Sequence, residues 1–470
     1  MSVRSFPADP AFPQLGIAAD AGLMKETFRT HLRPVGGKVY DIEDCRLIRL
    51  RYRQDSRCFL LYTLRLLEPD TGRERDVQVT GLLYAEKDRA EQAWRKLRAT
   101  DPRQKIPNSW LTFEPVSFVP ELDMLVQVFP YDRRLPTLPL LAAGPPPELE
   151  PLLLTRFGAG DWRVEAWKVE PVRYRGEGAA VLRYTAKARN AATGGRREKS
   201  FYAKVYRHEK GEQTYQTYQT LRALWSQAGA NGEGFTVVRP IAYLSDLRAL
   251  ILEGAPGTPL EEILLRDRDT TGAVRRVAQA LAAFNQGDAP ATTRRHLLAD
   301  QVAVLERAGR VLGRACPHLR PEVESIIEGV LAGLEEVALR PTHRDLKPDH
   351  IFLDGDRTMF IDLDTFAEAD PVLDPAHLLA RLAMPALFPI PRHRARTAAA
   401  RHRARTAAWE FAEEYFAHVP GAWHDRLPFL YAGTLVEAAH SFFRRQAPDW
   451  PDRIATLLEE AKASLAGRVW

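Results

Sequence analysis

Two aspartates flank a short predicted β-hairpin in the C-terminal half of this 470-residue chain. The runs Ile351 to Leu353 and Thr358 to Ile361 predict its two strands, and Asp354-Gly355 is a strong turn signal between them. Asp345 precedes the first strand and Asp362 follows the second, so the hairpin should bring both carboxylates to one rim. Two acids placed in this way can divide the work of phosphoryl transfer. One accepts the proton of the attacking hydroxyl, and the other holds Mg²⁺ on the phosphates.

The motifs around these aspartates follow one another in a recognisable order. They are His343-Arg344-Asp345, Ile361-Asp362, Asp370-Pro371 and then Asp374. This ordered set resembles the catalytic and metal loops of the protein-kinase-like superfamily, and it is closest to the aminoglycoside phosphotransferase and choline-kinase-like branch, which includes maltokinase-like proteins. The resemblance extends from Val164 to about Leu382. It implies transfer of the γ-phosphoryl group of ATP or GTP to a hydroxyl of a small molecule such as a sugar, an aminoglycoside or an amino alcohol.

The resemblance also implies roles for three residues of the catalytic loop. Asp345 would be the catalytic base, and His343 would brace the loop that carries it. Lys347 corresponds to the lysine that touches the γ-phosphate in protein serine/threonine kinases.

The metal-binding residues implied by the resemblance include one departure from the family pattern. Asp362 would hold Mg²⁺, with Asp364 or Asp349 as further oxygen ligands. His350 stands where the family usually has a metal-binding asparagine. Because Mg²⁺ prefers oxygen ligands and imidazole suits softer metals, two interpretations of His350 stay open. It either replaces the asparagine as a ligand or hydrogen-bonds the catalytic loop.

An internal repeat lies ahead of the motif block. Residues 43–84 and 165–206 match without gaps at an offset of 122, with 11 of 42 positions identical. Each copy predicts three strands, a helix and two more strands, which together form a five-stranded antiparallel sheet that carries one helix. The run Pro145-Pro146-Pro147 marks the junction between the copies.

The second copy has the residue types that the resemblance requires for binding ATP as the co-substrate. Lys204, late in its third strand, would contact the α- and β-phosphates, and Glu212 is its predicted helix partner, with Glu209 as the alternative. The turn that contains Gly176 and Gly178 is the predicted phosphate-covering loop. The segment that includes Glu253 and Gly254 resembles the hinge that binds adenine. The first copy has Leu82 where the second has Lys204, which predicts a unit without nucleotide binding.

These observations predict an α+β, protein-kinase-like two-lobed fold. A five-stranded antiparallel small lobe and a helical large lobe are preceded by a degenerate copy of the small lobe. The predicted domains are residues 1–147 for the degenerate copy, 148–257 for the ATP-binding lobe and 258–470 for the helical lobe. The apolar face of the degenerate copy has to be buried on the rest of the chain, on a protein partner or in a homodimer.

Composition limits the other classes of protein. The net charge is only +5, which does not indicate a nucleic-acid-binding protein, and no stretch is apolar enough to span a membrane. Three widely spaced cysteines favour a reducing cytoplasm. Two rival functions stay open. Lys347 within His-Arg-Asp-Leu-Lys-Pro suggests a protein serine/threonine kinase, whereas His350 and the degenerate copy suggest a catalytically silent, nucleotide-binding pseudokinase.

Overall fold

The computed structural model describes residues 10–53, 55–228, 234–266, 270–289, 293–388, 394–445 and 449–469. The chain divides into two compact units. The first comprises Met1–Gln213, Ile241–Gly254 and Arg444–Pro448, and the second comprises Thr214–Pro240, Ala255–Phe443 and Asp449–Trp470. The matched segments of the repeat, residues 43–84 and 165–206, lie in the first unit, and the catalytic motifs lie in the second. The domain boundaries at 147 and 257 stay a prediction.

Strands and helices are numbered here along the chain. The strands are β1 Asp41–Arg53, β2 Arg57–Glu68, β3 Arg73–Tyr84, β4 Val116–Val119, β5 Met124–Val128, β6 Trp162–Tyr174, β7 Ala179–Asn190, β8 Arg196–Tyr206, β9 Phe235–Val237, β10 Pro240–Leu244, β11 Ala249–Glu253, β12 Thr258–Pro259, β13 Arg340–Thr342, β14 Ile351–Asp354, β15 Arg357–Phe360 and β16 Ala367–Ala369. The helices are α1 Leu15–Ala19, α2 Ala21–His31, α3 Arg89–Arg98, α4 Leu138–Ala142, α5 Glu150–Leu154, α6 Lys210–Ala228, α7 Leu260–Arg266, α8 Thr271–Gln286, α9 Leu298–Ala315, α10 Arg320–Ala332, α11 Leu373–Leu387, α12 Arg394–Ala417, α13 Gly421–Arg445 and α14 Trp450–Leu465.

The two copies of the repeat have the same strand order. The first sheet runs β1-β2-β3-β5-β4, and the second runs β6-β7-β8-β11-β10. In each copy three long strands are followed by a helix, α3 or α6, before the last two strands of the sheet. The prediction of two five-stranded sheets, each with one helix, is confirmed.

The sheets of the first unit share one hydrophobic core. Since alternate residues of a strand point to opposite faces, Phe59 and Leu82, which pair across β2 and β3, lie on the same face of the first sheet. Both are buried in one cluster with Ala203 and Val205 of β8. Lys204 lies between those two residues and therefore points to the other face of the second sheet.

The opposite face of the first sheet is covered by the N-terminal helices, which the sequence did not predict. The ring of Phe28 on α2 packs edge-on against Tyr62 of β2, with their centroids 5.1 Å apart. The hydroxyl of Tyr62 donates to the carbonyl oxygen of Ala18 on α1. The first copy is therefore buried on both faces within its own chain.

In the second unit, the predicted hairpin is β14–β15, with a left-handed Gly355 at its turn (φ 55°). It is the centre of a four-stranded sheet with order β12-β14-β15-β9, and β13 pairs with β16. Most of the other elements are helices, in agreement with the predicted helical lobe. Among the described helices, none is long and apolar enough to cross a bilayer.

Candidate active site

The hairpin brings Asp345, His350 and Asp362 together at its open end. Asp345 follows β13, His350 immediately precedes β14, and Asp362 comes two residues after β15. One ligand atom from each of these residues lies within 4.8 Å of the others. The backbone N–H of Ile361 donates to the carbonyl oxygen of His350 (3.0 Å), which holds the two ends of the hairpin together. The carboxylates therefore meet at one rim, as the sequence predicted.

Asp345 is placed to accept a proton. The ammonium of Lys347 lies 3.3 Å from its carboxylate, and 40% of the Asp345 side chain is exposed. Burial raises the pKa of the Asp345 carboxyl, but Lys347, followed by His350 and His343, together outweigh it, so that the pKa lies below its usual value. The carboxylate is therefore ionised at neutral pH.

His343 braces the catalytic loop from inside the protein. It is completely buried, and its Nε2 lies 2.7 Å from the carbonyl oxygen of Ile361. The backbone N–H of Asp345 points to Nδ1 of His343 (3.4 Å), which assigns the proton of the ring to Nε2. The hydroxyl of Thr365 donates to the carbonyl oxygen of His343 (2.9 Å) and so connects the catalytic loop to the loop after β15.

Asp374, the motif acid on α11, holds the same loop from the other side. Its fully buried carboxylate accepts hydrogen bonds from the backbone N–H groups of His343 and Arg344, both at 2.8 Å. The amide of Asn285 donates to it at 3.0 Å and in turn accepts from the hydroxyl of Tyr415 at 2.9 Å. Sequence reasoning missed Asn285 and Tyr415. A signal for Asn285 exists, since it is a polar residue at the end of the apolar stripe of α8.

His350 is a neutral imidazole beside Asp362. Burial and then the nearby Lys347 lower the pKa of His350 to about 2. Its Nε2 lies 3.4 Å from Oδ2 of Asp362. Its Nδ1 is buried, and no hydrogen-bond partner for it is found within the part of the chain that the structure describes. Asp364 lies in the turn after Asp362 and does not belong to the three-residue cluster.

The loop that carries Asp362 has an unusual backbone and a buried anchor. Asp362 adopts a left-handed conformation (φ 63°), as does Arg344 in the catalytic loop (φ 65°). The next backbone N–H, that of Leu363, donates to the hydroxyl of the buried Tyr218 on α6 at 3.1 Å. Such conformations persist only where the surroundings fix them, as Tyr218 does here.

A series of polar side chains in contact extends from the catalytic loop to α13. Arg344 Nη2 lies 3.3 Å from His296 Nε2, which lies 3.1 Å from the Gln301 side-chain oxygen. The amide of Gln301 donates to Glu437 at 3.1 Å. Burial raises the pKa of Glu437 to about 7. No motif in the sequence indicates a role for His296, Gln301 or Glu437, so this series could not be predicted.

The predicted nucleotide-binding residues lie in the first unit. Lys204 is buried, with Nζ 5.9 Å from the centroid of the Tyr206 ring, and it points away from the shared core. Glu212 is exposed in the first turn of α6. Gly176 and Gly178 lie in the turn between β6 and β7. Their roles stay predictions.

The predicted hinge residues end the last strand of the second sheet. Glu253 pairs with Phe201 across β11 and β8, and its carboxylate lies 3.3 Å from Nζ of Lys199. The N–H of Gly254 donates to the carbonyl oxygen of Ser200 at 2.9 Å. A Cβ at Gly254 would approach that oxygen to 2.8 Å, so only glycine fits here.

Comparison with known proteins decides the family. The model of the APH phosphotransferase enzyme family matches residues 180–415. The chain belongs to this family. The predictions of a phosphotransferase with an alcohol group as acceptor, and of the protein-kinase-like fold, are confirmed. No curated protein matches the chain.

Several solved structures are similar to the chain at low identity. The GDP and kanamycin complex of APH(2″)-IIIa is 14% identical over 67% of this chain and 98% of its own, with a TM-score of 0.43. A choline/ethanolamine kinase family protein from Mesorhizobium loti is 12% identical over 60% and 85%, with a TM-score of 0.38. Choline kinase from Cryptosporidium parvum is 10% identical over 64% and 89%, with a TM-score of 0.42.

Proposed function

We propose that this phosphotransferase moves the γ-phosphoryl group of ATP or GTP to the hydroxyl of a small molecule, with Asp345 as the base. The observation that carries the proposal is the cluster of Asp345, His350 and Asp362, in which an ionised, half-exposed carboxylate lies next to a second carboxylate. The acceptor belongs to the broad class of sugars, aminoglycosides and amino alcohols.

The proposed step needs few groups from the chain. The acceptor hydroxyl gives its proton to Asp345 while its oxygen forms a bond to the γ-phosphorus. The bond between that phosphorus and the bridging oxygen breaks, and the nucleoside diphosphate leaves. His343 and Asp374 keep the base in place through the backbone of the loop. Lys347, 3.3 Å from this base, favours its ionised form and would contact the incoming phosphoryl group.

The residues around Asp362 fit a divalent metal ion. Asp362 and the neutral imidazole of His350 would hold it, and a bound cation would neutralise charge that develops on the phosphates. Since the set contains one nitrogen donor, Mn²⁺ should serve at least as well as Mg²⁺. The low pKa of His350, and its buried Nδ1 with no hydrogen-bond partner among the described residues, both favour a neutral ring that can offer a lone pair.

The nucleotide is proposed to bind the second copy of the repeat. Lys204 would contact the phosphates, with Glu212 as its partner, and the segment at Glu253 and Gly254 would bind the base. The first copy has Leu82 in place of the lysine and buries it, which supports one nucleotide site per chain.

The experiment that tests the function is a survey of acceptors. The purified protein is incubated with ATP or GTP, with Mg²⁺ or Mn²⁺, and with a panel of sugars, aminoglycosides, amino alcohols and one generic protein substrate. Acceptor-dependent release of nucleoside diphosphate with a small molecule supports the proposal. Phosphorylation of the protein substrate alone favours the protein kinase. Nucleotide binding without transfer to any acceptor favours the pseudokinase, for which His350 is the specific observation.

A further inference from the structure

The glycine-containing turn between β6 and β7 is held at its tip by the first copy of the repeat. The backbone N–H of Glu177 donates to Oδ2 of Asp132 at 2.6 Å. The guanidinium of Arg51 donates to the carbonyl oxygen of Arg175 at 2.9 Å and also to that of Gly176. The carbonyl groups of Arg175 and Gly176 and the N–H of Glu177 are therefore already bound by residues of the first copy.

The side chain of Glu177 strengthens the same contact. It is only 2% exposed and lies between two arginines of the first copy, at 2.8 Å from Arg57 and 3.2 Å from Arg133. A buried carboxylate that loses such partners is left as an uncompensated charge, which is strongly destabilising. This contact belongs to the folded core of the first unit.

The contact between the two copies by itself requires a glycine at position 176, whether or not this turn binds a nucleotide. It adopts a left-handed conformation (φ 56°), and a Cβ there would overlap the ring of Phe59. Phe59 is itself buried in the core that the two sheets share. The glycine thus permits the close approach of the two copies.

The turn is held on the side of the sheet that faces away from Lys204. The hydroxyl of Tyr174 donates to the same Asp132 oxygen that binds the turn, at 2.8 Å, and Tyr174 belongs to the shared core. Lys204 points to the opposite face of the second sheet, because it alternates with the core residues Ala203 and Val205. The N–H of Glu177 therefore points away from the predicted nucleotide face.

We propose that the turn Arg175–Gly178 is a docking site for the first copy of the repeat and does not cover the phosphates of the nucleotide. The buried carboxylate of Asp132 is the anion that the tip of the turn binds. This assignment replaces the predicted nucleotide role of Gly176 and Gly178, and it leaves Lys204 to contact the phosphates. The assignment rests on the proposed function only for those measurements in which nucleotide is added.

Hydrogen exchange and kinetics on the full chain test this assignment. Exchange of the peptide spanning residues 174–180 is followed by mass spectrometry, with and without a non-hydrolysable ATP analogue and Mg²⁺. Two variants weaken the contact. Asp132→Asn changes the carboxylate that accepts from the N–H of Glu177, and the milder Arg57→Ala removes one of the two arginines that pair with Glu177 and leaves Arg133. Asp76→Asn is the matched control, since Asp76 is an exposed acid of the first sheet paired only with surface arginines.

We expect exchange of the peptide to be at least tenfold faster in both docking variants and unchanged in the control. Nucleotide should add no protection to the wild type, and the KM for ATP in the variants should stay within twofold. Protection of the turn by nucleotide, or a fivefold rise in KM for Arg57→Ala, would mean that the turn covers the phosphates. A fall in KM or a rise in turnover would make the contact inhibitory and would equally overturn the assignment. If the wild type binds no nucleotide, the proposed function fails, while exchange without nucleotide still decides the docking.

Discussion

At the residue scale, one ammonium group sets the charge of two neighbours in opposite ways. Against the effect of burial, Lys347 is the largest of the influences that lower the pKa of Asp345, and after burial it is the next cause that lowers the pKa of His350. A base must be ionised to accept a proton, and an imidazole must be neutral to offer a lone pair to a metal. The position of Lys347, 3.3 Å from Asp345, therefore serves both tasks.

The identity of residue 350 should decide which metal the enzyme prefers. His350→Asn exchanges a nitrogen donor for the oxygen donor that the family usually has. We expect Mg²⁺-dependent turnover to be retained or raised and the ratio of Mn²⁺ to Mg²⁺ activity to fall by severalfold. Metal titrations of turnover measure both effects. If the folded variant loses all turnover with both metals, the imidazole has another specific role.

Glu437 should make stability depend on pH near neutrality. Its pKa is raised from 4.5 to about 7 by burial, so the fold disfavours the charged form. The resulting penalty is small at pH 5, grows as the pH rises towards 7, and is complete at pH 8. Glu437→Gln should therefore raise the melting temperature relative to wild type more at pH 8 than at pH 5. An equal difference at the two pH values would contradict the raised pKa, and Glu413→Gln on α12 is a control.

At the scale of elements, the catalytic loop is held by helices that are distant in sequence. Asp374 on α11 binds the backbone of the loop, and Asn285 on α8 and Tyr415 on α12 complete the buried network. The hairpin could be predicted from the sequence, because a two-residue turn signal between β-rich runs acts locally. The network could not, since Asn285 and Asp374 are 89 residues apart and only the packing of helices brings them together.

Loss of one hydroxyl from this network should reduce stability by a modest amount. Tyr415→Phe removes the donor to Asn285 and keeps the packing of the ring. We expect the free energy of unfolding to fall by about 1 kcal/mol. Denaturant unfolding measures this change, with Phe411→Leu as a packing control on the same helix. No change in the free energy of unfolding would mean that the hydrogen bond from Tyr415 to Asn285 does not stabilise the buried network around the catalytic loop.

At the scale of the whole molecule, the internal repeat is visible in the sequence, but the packing of its two sheets is not. The offset of 122 predicts two equal sheets and Leu82 predicts a silent first copy. Neither pattern indicates how the two sheets pack. The face of the first sheet that carries Leu82 packs on the face of the second sheet that is opposite Lys204. That arrangement depends on residues such as Arg51 and Gly176, which are 125 positions apart.

This packing predicts one nucleotide per chain. Leu82 is fully buried in the core that the two copies share, so the face of the first sheet that carries it is covered. Titration calorimetry with Mg·ATP should give a stoichiometry near one, and Lys204→Ala should remove most of the affinity. Lys187→Ala, an exposed lysine of the neighbouring strand β7, is the control. A stoichiometry near two, or full affinity in Lys204→Ala, would contradict this assignment of the two copies.

The central claim is that Asp345 is the base of a phosphoryl transfer, and Asp345→Asn tests it most directly. Release of nucleoside diphosphate is measured with the acceptor found in the survey, beside the exposed hairpin control Asp354→Asn. We predict that turnover falls by about 10² to 10⁴-fold in Asp345→Asn while the affinity for nucleotide and the melting temperature stay close to wild type. The control should keep its turnover. An Asp345→Asn protein that retains more than a tenth of wild-type turnover would contradict the claim.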